Sequence, residues 1–172
     1  MQVFIIGSPL ETAKALDSKR LNKQIIECRQ ILAAIDGSST AWKKHPCVLQ
    51  YKNHTQWLEN YMYCLRAMQL NDMVGVEHFN KMAEKLKPSF HIEEYFTQMK
   101  KRLYTKDNNH YKQWHHLGTS QENWYYVNNV WKIYVMGKLV HQTPSVQLKE
   151  VKGKDMSDDR SCYRRIWYFA NN

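Results

Sequence analysis

The stretch that decides the fold runs from Pro9 to Ile35, PLETAKALDSKRLNKQIIECRQILAAI. Its apolar residues Ala13, Leu16, Leu21, Ile25, Cys28, Leu32 and Ile35 recur at helical spacing. Gly7-Ser8-Pro9 breaks the chain ahead of it. Ser8 suits an N-cap, Pro9 the first turn, and Glu11 the third helical position. Asp36-Gly37-Ser38-Ser39 ends it. The spacing predicts one long helix over about 9–35.

Working outward, residues 3–6 (VFII) read as a strand or a buried N-terminal extension. Trp42-Lys43-Lys44-His45-Pro46 is a basic connector, after which a second helix is predicted from about Pro46 to Leu70. Residues 72–86 read as a third helix, stopped by Pro88, and residues 90–104 as a fourth. The segment NWYYVNNVWKIYVMGKLV has mixed period and is read as helical at its start and strand at its end. Residues 141–160 are polar and turn-rich, and 161–169 (SCYRRIWYF) read as a late strand. The expectation is a mainly α protein: a compact helical domain with a long N-terminal helix and a small β element near the C-terminus. No repeat or linker divides it, so residues 1–172 read as one domain, a helical core over 1–130 with an extension over 131–172 packed on it.

The chain has 172 residues, enough for a real core. Its 25 Lys and Arg against 16 Asp and Glu give a net charge of +9, which points to a polyanionic partner, DNA or a nucleotide. Aromatics interleaved with cations also suit base stacking. No apolar stretch is long enough for a membrane span. Cys28, Cys47, Cys64 and Cys162 form no C-x-x-C pair and read as reduced thiols of a cytoplasmic protein. There is no G-x-x-x-x-G-K-[ST], no G-x-G-x-x-G and no H-E-x-x-H, which takes away most of the support for phosphate-loop, Rossmann and zincin chemistry. His110, His115 and His116 with Asp158 or Asp159 have the donor types for a metal, but phosphate-facing loop histidines are the plainer reading. No metal and no cofactor are expected.

On the first helix, Arg20, Lys23 and Glu27 share one side, with Lys19 a turn above Lys23 and Gln24 and Gln30 at the border. By default such a side is a solvated face of weak ion pairs. It also has a chemical use. An ionised carboxylate can stabilise an oxocarbenium-like transition state at a sugar C1′, while flanking cations hold phosphates.

These residues resemble a known family. Leu16-Asp17-Ser18-Lys19-Arg20-Leu21-Asn22-Lys23-Gln24-Ile25-Ile26-Glu27, then Gln30-Ile31-Leu32, is similar to the LD-x-x-RL-x-KQ-x-x-E…QIL pattern of the pyrimidine-dimer DNA glycosylase (endonuclease V) family. Trp42-Lys43-Lys44-His45-Pro46-Cys47-Val48 resembles its W-x-x-HP-x-V segment. Phe90-His91 and Lys106-Asp107-Asn108-Asn109-His110-Tyr111 resemble its FH…KD-x-x-HY. The resemblance implies a compact helical fold and a base- or lesion-directed DNA glycosylase. It implies Glu27 as the catalytic carboxylate, an N-terminal α-amine as the nucleophile that forms a Schiff base at C1′, and Arg20 and Lys23 at phosphates. Methionine is generally kept before a residue as large as Gln2, so the amine is expected to be that of Met1. As a class, α-amines titrate near 7.7–8, which leaves a reactive fraction at neutral pH. Lys19, Arg20, Lys23, Lys43, Lys44, His45, His91, Lys106, His110 and Tyr111 are the expected nucleic-acid contacts.

Two other functions fit the same residues. A basic, aromatic pocket could sequester a nucleotide or cyclic nucleotide without chemistry, as small viral proteins do. A non-catalytic architectural protein would bind DNA by charge alone.

Overall fold

The structure is a computed structural model, described here over residues 1–144. It is mainly α, with a small antiparallel sheet following the helices. The element order is α1 (Pro9–Ala15), α2 (Ser18–Asp36), α3 (Pro46–Tyr51), α4 (Thr55–Gln69), α5 (Met73–Lys85), α6 (Glu93–Lys106), a 3₁₀ turn (Lys112–Leu117), then β1 (Glu122–Val127), β2 (Val130–Val135) and β3 (Lys138–Pro144).

The predicted helix over 9–35 is two helices. Ser8 caps α1 in a reciprocal capping box with Glu11, as its sequence suggests. Leu16 then turns extended and drops into the core. Asp17 restarts the chain as the N-cap of α2, its carboxylate accepting from the Arg20 N–H. A short acidic side chain competes well for that backbone N–H, and its local bond outweighs helical continuation. Gly37, at φ +88°, closes α2 in the left-handed conformation that glycine tolerates.

The predicted helix over 46–70 is likewise interrupted, at residues 52–54, between α3 and α4. The third predicted helix is α5. The fourth starts later than expected, at Glu93, with Phe90 and His91 buried just ahead of it.

The segment over 123–140 is strand and turn with no helix, in contrast to the helical start its period suggested. β1, β2 and β3 form an antiparallel meander in that order. Asn128 and Asn129 both have positive φ, as do Met136 and Gly137. Each pair makes the two-residue turn whose twist suits a hairpin. The boundary expected near residue 130 falls at the start of β2, in the middle of this sheet. The expected late strand over 161–169 lies outside the described residues.

The N-terminal segment positions the site. Val3, Phe4, Ile5 and Ile6 are buried, yet pair with no strand among the described residues. Buried backbone groups need partners, and here side chains supply them. The Phe4 N–H donates to Gln24 Oε1 at 2.9 Å, and Gln24 Nε2 donates to the Gln2 carbonyl at 3.0 Å. The Ile6 N–H donates to Thr12 Oγ1 at 3.1 Å. The hydroxyls of Tyr95, Tyr61 and Tyr125 donate to the carbonyls of Val3, Phe4 and Met1. Residues 1–6 are thus stitched to α1, α2, α4, α6 and β1. Around them lies an aromatic core in which Tyr51 and Tyr61 stack on either side of Trp57.

Candidate active site

The stitched segment delivers Met1 and Gln2 to one wall of a cleft of about 290 Å³. The side of α2 that carries Lys19, Arg20, Lys23, Gln24 and Glu27 lines the same cleft. α6 contributes Arg102 and Lys106, and Asn123 of β1 completes the lining with Phe4. Six expected site residues therefore meet in one place: Met1, Lys19, Arg20, Lys23, Glu27 and Lys106.

Glu27 sits deep in this cleft, only 9% exposed. Its Oε2 accepts from the Gln2 N–H at 3.3 Å and from Gln24 Nε2 at 3.1 Å. Its Oε1 lies 3.8 Å from Lys23 Nζ, whose side chain is mostly in solvent. One oxygen is held by two hydrogen bonds and the other faces a largely exposed cation. The Met1 nitrogen is one residue from that of Gln2, a span of at most about 3.6 Å by covalent geometry. It therefore lies no more than roughly 7 Å from Glu27 Oε2. The carboxylate and the amine can address one sugar.

Cations dominate the rim. Arg20 is anchored by Asp17, Nη1 to Oδ2 at 2.7 Å, and by the Tyr111 ring 5.6 Å away. Burial works against the charge on Asp17, but the Tyr111 hydroxyl (2.6 Å) and Arg20 outweigh it and hold its pKa down at about 2. Arg102 is half-buried with its Nε unpartnered, and burial lowers its pKa. Lys106 is shifted down as well, first by burial and then by Arg102, Lys23 and Arg20, against the pull of Glu27. Five cations around one deep carboxylate leave positive charge uncompensated, the arrangement a phosphate completes.

The other expected residues lie elsewhere. Lys43, Lys44 and His45 line a separate open hollow with Thr40 and Trp42. His45 caps α3, its Nδ1 accepting from the Cys47 N–H at 3.1 Å. Its pKa is lowered by burial and by the Met1 ammonium, which places it beside the amine end of the cleft. His110 is exposed past the end of α6, its Nε2 3.4 Å from the Ala15 carbonyl. Two expected contacts are corrected by burial. His91 is in the core, 3.2 Å from the Tyr51 hydroxyl and 4.4 Å from the Trp57 ring centre, and reaches no phosphate. Tyr111 is fully buried and serves by holding Asp17 and Arg20. For the histidine trio, no group of three or more His, Cys, Asp or Glu among the described residues is placed to hold a metal, and Asp158 and Asp159 lie outside them. Among the described residues no helix is long and apolar enough to cross a membrane.

Sequence reasoning passed over Arg102 and Asn123. Arg102 had a signal, since it lies four residues before Lys106 on the same helical side. Asn123 had none, because its strand was read with the wrong period.

Comparison with known proteins bears on one part of this geometry. No curated protein and no solved structure matches the chain. The segment that carries Met1, the stitched strand-like run and all of α2, residues 1–68 of the 172, matches the family model of pyrimidine dimer DNA glycosylase.

Proposed function

We propose that the chain is a DNA glycosylase that cleaves the N-glycosidic bond of a damaged or modified base, with pyrimidine dimers the first substrate to test and Glu27 as the catalytic carboxylate. The observation that carries this reading is a single buried carboxylate, held on one oxygen, at the bottom of a cleft rimmed by cations. The match over residues 1–68 supports it independently.

Inside intact duplex C1′ is poorly reached, so the nucleotide is extruded toward the cleft. Arg20, Arg102, Lys19 and Lys23 take the flanking phosphates. As the glycosidic bond breaks, its electron pair leaves with the base, which takes up a proton from water, while positive charge grows on C1′ and the ring oxygen, and Glu27 faces it. In the second step the Met1 amine bonds to C1′ and gives up a proton to solvent; the C1′–O4′ bond then breaks, O4′ takes its electron pair and a proton, and an iminium remains at C1′. Glu27 removes a proton from C2′, and the C3′–O bond breaks with the phosphate as leaving group. Water then hydrolyses the iminium and frees the amine.

The test is incubation with UV-irradiated plasmid and with duplexes carrying other damaged bases, scoring alkali-revealed breaks. Breaks in irradiated DNA are expected, and none across the panel would overturn the reading. Borohydride trapping on abasic DNA, followed by peptide mass spectrometry, assigns the amine. An adduct on Met1 is expected, and an adduct confined to a lysine would remove Met1 from the mechanism.

A further inference from the structure

Beyond the cleft, one tryptophan stands apart from the others among the described residues. Trp57, Trp124 and Trp131 are all buried, whereas Trp42 is 58% exposed. Its backbone sits at φ +65°, a conformation that disfavours a bulky residue and suits Gly or Asn. The Trp42 carbonyl accepts from the His45 N–H at 2.7 Å, which closes the turn that carries the exposed indole. Lys43 and Lys44 flank it in the same hollow, both exposed and in no ion pair among the described residues.

This hollow connects to the cleft through rings. Trp42 meets His45 edge-on at 5.7 Å, and His45 meets Tyr125 edge-on at 5.7 Å. The Tyr125 hydroxyl donates to the Met1 carbonyl at 3.0 Å. Two ring steps therefore separate an exposed indole from the residue that carries the amine. An exposed aromatic face beside two unpaired lysines is what an unpaired base and its phosphates require.

We infer that Trp42, with Lys43 and Lys44, is a stacking platform for a nucleobase displaced from the duplex while the target sugar occupies the cleft. The inference rests on the glycosylase reading for its ligand and adds a second contact site to it. Two bases qualify, the one opposite the lesion and its 5′ neighbour, and both offer the same π-face.

The experiment uses duplexes with a stable tetrahydrofuran abasic analogue and 5-iodouracil at either position. Photo-crosslinking and peptide mass spectrometry locate the contact, and the duplex that reacts identifies the base. A crosslink on Trp42 is expected from at least one duplex. Trp42→Leu should bind the analogue duplex about tenfold more weakly, and Trp42→Phe within about threefold of wild type, as expected for stacking. Thermal melting checks that both variants fold. Crosslinks that map elsewhere in both duplexes, or undiminished affinity in a folded Trp42→Leu, overturn the platform. Strand breaks in damaged DNA without a Trp42 crosslink remove this inference and leave the glycosylase reading. A Trp42 crosslink without breaks keeps the platform and removes the catalytic reading.

Discussion

The backbone N–H of Gln2 donates to Oε2 of Glu27 across 3.3 Å, tying the start of the chain to the middle of α2. That bond and the one from Gln24 fix the carboxylate's position from two directions. Glu27→Gln keeps the shape and removes the charge. Base excision should fall by roughly 10²–10⁴-fold, the range for a carboxylate acting on charge or protons in a transition state. Affinity for an abasic-analogue duplex should be unchanged or tighter. Single-turnover cleavage and gel-shift titration measure the two separately, and excision within threefold of wild type would remove Glu27 from the chemistry.

Gln24 bridges the N-terminal segment to the site, meeting Phe4, Gln2 and Glu27 with one amide. Gln24→Ala leaves the Phe4 N–H and the Gln2 carbonyl unpartnered in the core. Each orphaned buried group costs about 1–3 kcal/mol. A drop of about 2–4 kcal/mol in urea unfolding is expected. A loss under about 0.5 kcal/mol would mean that water or a shifted backbone repairs the bonds.

Acid should destabilise the fold through its buried histidines. Burial drives the His91 pKa well below its ordinary value of 6.5, helped by the charges of Lys87 and His54. The unfolded chain therefore takes up this proton first. The stability that neutral His91 supplies is complete above pH 6.5 and is lost as the pH falls below it, at no more than about 1.4 kcal/mol per pH unit. His45 and His54 shift in the same direction, so they add to the slope. Urea midpoints between pH 7 and pH 5 should fall in wild type and fall less steeply in His91→Gln. Parallel slopes would show that His91 is not the group that titrates.

Salt titration separates phosphate contacts from structural residues. If Arg102 neutralises one phosphate, Arg102→Ala should flatten the plot of log affinity against log salt by about 0.9 on duplex DNA. Lys23→Ala should do the same. Tyr111→Phe keeps every cation, so its slope should stay nearer wild type, though Asp17 loses a donor and Arg20 is held less firmly. An unchanged slope in Arg102→Ala would place it outside the DNA contact.

The first helix was legible because its apolar spacing and its charged side are both properties of a single helix. The break at Leu16-Asp17 was not, because Asp17 fits a helix pattern until its partners are known. One of these, Tyr111, lies 94 residues away. The deep end of α2 was readable as a cluster of charges, but spacing could not say whether Glu27 is solvated or buried. That depends on residues 1–6 lying across it. His91 carried a motif-like signal and proved a core residue, since an imidazole among Tyr51, Trp57 and Phe90 reads the same in sequence as one facing phosphate. The hairpin went unread although Asn128-Asn129 is a recognisable turn pair, because the aromatics on both sides of β1 obscure its alternation.

Residues 1–6 take their hydrogen-bond partners from helices and a strand spread over more than a hundred positions. A strand in a sheet can pair as soon as its neighbour forms, but this segment must wait for all of them. The carboxylate and the amine therefore share one cleft only while all of these elements are in place. A locally opened chain keeps the cations proposed to meet DNA and loses the geometry proposed to cut it.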